Sequence, residues 1–249
     1  MAVAVAGEEV AVGLVEDLVQ KSKPAKAEIL QRFFKTLPGQ YGHGDQFIGV
    51  VVPDIRATIR TYYHLSPFEL KPLFCHKYHE VRLAAFLILV YQYQHSNPKK
   101  QIEIYKIYLR SRAGINNWDL VDLTAPHILG AHTFCHHTTH PLDQLAKSKS
   151  LWDKRLAIIA TFYHLRQGSS QATLRIVEKL LLDPHDLIQK ANGWMLRELG
   201  KLVSEPQLIN FIAKHYNQMP RTTLRYAIER FSPQVRKSLL SSAPSPVEL

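Results

Sequence analysis

What most restricts the folds open to this chain is a recurrence. "EVRLAAFLILVYQYQ" starts at Glu80, "DKRLAIIATFYHLRQ" at Asp153, "LIQKANGWMLRELGK" at Leu187 and "TLRYAIERF" at Thr223. Aligned on one alanine of each, Ala84, Ala157, Ala191 and Ala227, the segments stand 73, 34 and 36 residues apart. The first gap is two periods of about 36, so a further mark is due near residue 120. A unit of this length holds two helices and a turn. It cannot bury its apolar side alone, but it can against copies of itself.

The remaining pattern agrees with this. Apolar residues recur at helical spacing, with breaks at Pro24, Pro38, Pro67, Pro98, Pro141, Pro184, Pro206 and Pro220. Phe47 to Val52 is the only short β-rich run, and Gly49 and Pro53 bound it. Leu83 to Tyr91 and Leu156 to Tyr163 are apolar nearly all round, as helices buried between neighbours are. The Arg-x-Ala openings at Arg82, Arg155 and Arg225 resemble HEAT repeats. The expectation is an all-α solenoid of HEAT-like helix pairs, about five or six in number, with a concave basic surface. It forms a single domain over residues 1–240, followed by a polar, Pro-rich and disordered tail at 241–249.

Charge narrows the partner. The 31 Lys and Arg against 21 Asp and Glu give a formal +10, spread along the chain, so the basic character belongs to a folded surface. Nucleic acid is the commonest partner of such a surface, and a merely solvated face is the plain alternative. Two cysteines, Cys75 and Cys135, form no disulfide framework, which suggests a reducing intracellular compartment. The apolar N-terminus has no basic leader and is interrupted by Glu8, Glu9, Glu16 and Asp17, unlike an export signal. The longest apolar run, Leu83 to Tyr91, is too short to span a bilayer. We therefore expect a cytoplasmic monomer, nucleoid-associated if bacterial, with no membrane partner.

Several chemistries find no support. Gly39, Gly42, Gly44 and Gly49 fit neither a Walker nor a dinucleotide loop. Neither cysteine has the setting of a nucleophile. "HTFCHHTTH" gives His136 and His140 metal-ligand spacing, but there is no companion Cys pair and no nearby acid; solvated histidines are expected there. No metal and no cofactor are expected.

The missing register mark falls in "INNWDLVDLTAPHI", Ile115 to Ile128. There Trp118 and Asp122 stand four apart and share a face if the segment is helical. In the next units Arg155 opens the second-helix register and Trp194 follows Ala191 by three positions; equivalent positions on successive repeats line one side of a solenoid. Each residue also has a plain reading. The tryptophans are core by area alone, Asp122 caps a following helix, and Arg155 bonds within the stack as Arg82 and Arg225 do. Asp119, the rival carboxylate, suits the first turn of a helix, where the dipole favours it.

"NNWDLVDL", "LWDKRLAIIATF" and "KANGWMLRELGK", with "YGHGDQFIGVVVPDIRA" upstream, resemble the signature segments of the AlkD-like family of DNA alkylation repair glycosylases. The likeness runs with gaps from about Val15 to Leu240. It implies that Asp122 is the catalytic carboxylate, that Trp118 and Trp194 are the aromatic pair, and that Arg155 contacts backbone phosphate, with Lys190 and Arg197 as further contacts. It also implies excision of N3- and N7-alkylated purines from double-stranded DNA without base flipping. With no lysine nucleophile assigned, such an enzyme leaves an abasic site and an uncut strand. The competing expectations are a non-catalytic HEAT-repeat binder of DNA structure and a protein-interaction scaffold.

Overall fold

The computed structural model describes residues 2–247, with side chains from residue 11 onward. Its regular structure is helical, and among the described residues the one β feature is an isolated parallel bridge between Gln46 and Tyr78. The chain divides into two compact units, residues 1–124 and 125–249.

The first unit contains α1 (Ala2–Gln20), α2 (Pro24–Phe33), α3 (Val52–Thr58), α4 (Pro67–Leu70), α5 (His79–Gln94), α6 (Pro98–Arg110) and α7 (Trp118–Asp122). Four of its helices start on or beside a proline, at Pro24, Pro53, Pro67 and Pro98, where the missing N–H costs no hydrogen bond. Of the breaks expected in this unit, Pro24, Pro67 and Pro98 are helix starts, while Pro38 lies in a turn. In α5 every residue from His79 to Val90 is buried, so its side chains form the centre of the unit. Leu14 and Leu18 of α1 are buried completely, and α1 packs on α3, α4 and α5.

The second unit contains α8 (Ala131–Cys135), α9 (His140–Ala146), α10 (Leu151–Arg166), α11 (Gln171–Leu180), α12 (Asp186–Leu202), α13 (Glu205–His215), α14 (Arg221–Ala227) and α15 (Pro233–Ser241). Here the recurrence is expressed directly. The register residues Ala157, Ala191 and Ala227 are buried on α10, α12 and α14, each the second helix of a pair, and α12 packs on both α10 and α14. Gly193 of α12 lets α14 come close: a Cβ there would lie 2.4 Å from the Tyr226 Cβ and 2.5 Å from the Thr223 carbonyl oxygen. The tail beyond α15 has no regular structure, yet Asn210 of α13 exchanges two hydrogen bonds with the Val247 backbone, at 2.7 and 2.6 Å. Residues 248 and 249 of the expected disordered tail lie outside the described residues.

The β-rich run Phe47 to Val52 is not a strand. Its N–H groups are used elsewhere: the buried Glu80 carboxylate accepts from Ile48 at 3.1 Å, Gly49 at 2.8 Å and Val50 at 3.3 Å. Gly49 also has a positive φ of 86°, and a Cβ on it would lie 2.2 Å from the Lys23 carbonyl oxygen. The segment is therefore a strap fastened to the first turn of α5. Gly49→Ala combines a left-handed backbone with a backbone overlap, and an expected cost of about 2–4 kcal/mol lowers the urea midpoint measured by circular dichroism.

Candidate functional site

The residues preceding α7 are fixed before the helix begins. Asn117 is fully buried and accepts the Trp118 N–H at 2.9 Å on its side-chain oxygen. Arg82 of α5 donates to the Gly114 carbonyl at 3.2 Å, the His76 carbonyl at 2.7 Å and the Asn116 side-chain oxygen at 2.8 Å. Arg82 thus plays the within-stack part expected of a repeat arginine, whereas its counterpart Arg225 is exposed.

Trp118 and Asp122 do share a helix, the single turn of α7, and both are half-buried. The Trp118 ring lies nearly flat on Phe34, with centroids 5.0 Å apart and planes at 20°, and meets the edge of Phe33 at 5.8 Å. Phe34 in turn stacks on Phe47 at 4.9 Å. Trp118 is therefore backed by a small aromatic core of Ala27, Phe34 and Phe47 without being enclosed in it.

Asp119 takes a different course from Asp122. It sits in the first turn of α7, as expected, and is buried. Its Oδ1 accepts the Leu120 N–H at 2.9 Å, while Oδ2 meets His79 Nε2 at 2.8 Å. The other ring nitrogen of His79, Nδ1, meets Asp45 Oδ2 at 2.9 Å, and Asp45 Oδ1 accepts from Arg82 at 2.5 Å. The result is a buried chain of alternating charge, Arg82, Asp45, His79 and Asp119. Sequence reasoning missed Asp45 and His79, because residues 45, 79 and 119 carry no local spacing. The available signal was the polar opening "HEVR" on an otherwise apolar helix.

Electrostatics follow from this packing. Burial works to lower the His79 pKa, but the charge and hydrogen bond of Asp119 and then those of Asp45 overcome it, so His79 is pushed up to about 9. Burial works to raise the Asp45 carboxyl; His79 and Arg82 overcome that and hold it below its usual range. For Glu80 burial wins over the backbone N–H bonds, and its carboxyl is raised. At neutral pH the chain therefore holds two cations and two anions, the arrangement that buried charges require.

In the second unit, Arg155 stands at the start of the second turn of α10 with 6% exposure and donates to the Leu187 carbonyl at 2.7 Å, at the start of α12. Trp194 is half-buried on α12, with Phe162 6.0 Å away. Its neighbours explain its placement: Asn192 donates to the Leu180 carbonyl at 3.0 Å and Gly193 faces α14, which leaves position 194 to a different face. Lys190 pairs with Asp186 one turn earlier at 2.7 Å. Arg197 is held by Glu198 at 3.1 Å and by Glu229. A phosphate contact from Arg197 must therefore displace Glu229.

His132 and His136 bring their rings within 4.2 Å, and burial followed by the charge of His136 lowers His132 to about 4. Among the described residues no group of three or more His, Cys, Asp or Glu stands ready to hold a metal ion. Cys75 and Cys135 are free and exposed. No helix among the described residues is long and apolar enough to cross a membrane.

The family model described as DNA alkylation repair enzyme matches residues 14–231. A solved structure described as a predicted DNA alkylation repair enzyme from Enterococcus faecalis superposes with a TM-score of 0.66, covering 85% of this chain and 97% of that one at 15% identity. At that identity the likeness speaks for the fold. No curated protein matches the chain at a significant level.

Proposed function

Since the chain belongs to the DNA alkylation repair enzyme family, we propose that it is a monofunctional glycosylase, acting as a monomer, that removes cationic N3- and N7-alkylated purines from duplex DNA. The observation that carries the reading is the single turn of α7. It presents a half-buried indole backed by Phe34 and, four residues on, a half-buried carboxylate that is separate from the structural Asp119.

The chemistry asks little more of the protein. A purine alkylated at N3 or N7 already carries positive charge, so it departs without being protonated and no general acid is needed, in contrast to sugar hydrolysis by paired carboxylates. The developing positive charge on the deoxyribose needs an anion nearby and a positioned water. Asp122 is assigned both tasks. Trp118 is assigned to the cationic nucleotide, since an indole face attracts a cation by about 0.5–2 kcal/mol when partly desolvated. Trp194 is the second indole of the proposal, and excision without flipping the base is carried over from the resemblance to AlkD-like glycosylases. Arg155, Lys190 and Arg197 are assigned to backbone phosphates.

A duplex carrying one 7-methylguanine tests the reaction class. Strand breaks are expected at that position after alkali treatment of the reacted duplex, and none before it. Breaks without alkali indicate a lyase, and no breaks after alkali indicate a binder without catalysis. Phosphate contacts make a separate prediction. If Arg155, Lys190 and Arg197 each release one counterion, the logarithm of the binding constant falls with the logarithm of salt at a slope of about −2.7, and Lys190→Gln reduces the steepness by about 0.9. An unchanged slope removes Lys190 from the interface.

A further inference from the structure

We propose that His79 is a positioning residue for the α7 site: clamped between Asp45 and Asp119, it sets the direction in which the Trp118 indole and the Asp122 carboxylate are presented. The inference rests on the reading of those two residues as the excision site. A helix of five residues, α7, has one turn of hydrogen bonds and cannot hold its own direction. Something outside the helix has to hold it.

Three connections lead from His79 to that turn. The first is direct: Asp119 follows Trp118 in the chain, and its Oδ2 is bonded to His79 Nε2 at 2.8 Å. The second runs through Asp45, bonded to His79 Nδ1 at 2.9 Å. Asp45 accepts from Asn117, the residue before Trp118, at 3.5 Å, and from Arg82, which also grips Asn116 and the Gly114 carbonyl. The chain is therefore tied to one carboxylate system on both sides of Trp118. The third is a ring stack. His79 lies on Phe47 at 4.4 Å and beside Phe34 at 5.3 Å, and Phe34 carries Trp118 on its far contact at 5.0 Å.

This clamp works only with a proton on both ring nitrogens. The charged groups facing His79 are Asp45 from the segment before α3, Asp119 from α7, and Glu80 and Arg82 from α5; the Glu80 oxygens are occupied by the strap N–H groups. A neutral imidazole has one N–H, so it can donate to Asp45 or to Asp119 but not to both. Loss of the proton therefore frees one of the two carboxylates, and the turn bearing Trp118 loses a support. A displacement of about 1 Å at a reacting centre is enough to cost two orders of magnitude in rate.

The test reads Trp118 directly. In a chain with Trp152→Phe and Trp194→Phe, fluorescence reports Trp118 alone. Titrated from pH 7 to 9.8 with circular dichroism as the fold control, it is expected to change with a midpoint near 9, and His79→Gln is expected to abolish that step. In the chain with all its tryptophans, single-turnover base release from methylated duplex is expected to fall about tenfold or more over the same interval, with duplex affinity steady within about twofold. His79→Gln should show the low rate already at pH 7 and no alkaline decline. A flat Trp118 titration overturns the proposal, as does a folded His79→Gln protein with the unaltered rate or an intact alkaline decline. Where His79→Gln does not fold, the Trp118 titration alone decides. A fluorescence step without base release at any pH supports the clamp and refutes the excision reading.

Discussion

Asp122→Asn is expected to slow the release of alkylated bases by about 10²–10³-fold, while affinity for undamaged duplex stays within about twofold. The substitution keeps the size of the side chain but removes the charge and turns one acceptor oxygen into an NH2 donor, so it removes both the anion that faces the developing positive charge and the acceptor that positions water. Asp119→Asn is the necessary companion. Asp119 is tied to His79 and to the Leu120 N–H, so its loss acts on the position of α7 and on stability rather than on the sugar. Urea midpoints separate the two variants: Asp122→Asn is slow but stable, whereas Asp119→Asn is destabilised and slowed through the loosening of α7. Equal base release by Asp122→Asn and the unaltered chain removes Asp122 from the mechanism.

The second large effect is on stability. His79→Leu leaves Asp45 buried with Arg82 and takes from Asp119 its ion pair with His79, and breaking such a system costs about 3–5 kcal/mol. That is a large share of the roughly 5–15 kcal/mol that holds a domain folded. The pH dependence has a definite sign. The His79 pKa rises from 6.5 in the unfolded chain to about 9 in the folded one, so its contribution is fully present below pH 6.5 and is lost as pH rises through about 9. Asp45 acts in the opposite sense. Its folded pKa is lowered, so its contribution is present above 3.8 and is lost as pH falls through the lowered value. Urea midpoints measured from pH 6 to 10 are expected to decline on the alkaline side in the unaltered chain and to lose that decline in His79→Leu. A decline of the same size in both assigns the alkaline loss to other groups.

How much of this was legible in the sequence depends on whether a feature is local. The period of about 36 residues located α10, α12 and α14, because an alanine buried at each helix contact repeats at fixed spacing. The i, i+4 relation of Trp118 and Asp122 was enough to place both on one helix. The strap at Phe47 to Val52 has a β-rich composition, and composition cannot show that a carboxylate 30 residues away takes its N–H groups. The mark near residue 120 was blurred for a similar reason. Instead of one continuous second helix, the chain makes the short α7 and then a π-turn at Pro126–Gly130, with the Gly130 N–H bonded to the Ala125 carbonyl at 2.9 Å. Such i+5 turns are concentrated at functional sites. The Asp45–His79–Asp119 chain was invisible because its members meet only after α5 and α7 are packed.

Resemblance pointed to Arg155, Lys190 and Arg197 as phosphate contacts, but the structure gives each of them a protein partner: the Leu187 carbonyl, Asp186, and the pair Glu198 and Glu229. Of these, the exposed i, i+4 pair at Lys190 is the easiest to exchange, since surface ion pairs contribute about 0–1 kcal/mol. Lys190 is therefore the contact of the three most readily released to a phosphate.

The proposed chemistry depends on α7 offering an anion and an indole to a cationic nucleotide. Chromatography with mass detection of the bases set free from methylated duplex DNA tests this most directly. The expected result is 3-methyladenine and 7-methylguanine in the soluble fraction, unmodified purines left in the polymer, and release abolished by Asp122→Asn. Absence of free methylated bases at enzyme in excess of lesions, from a chain shown to bind the same duplex, contradicts it.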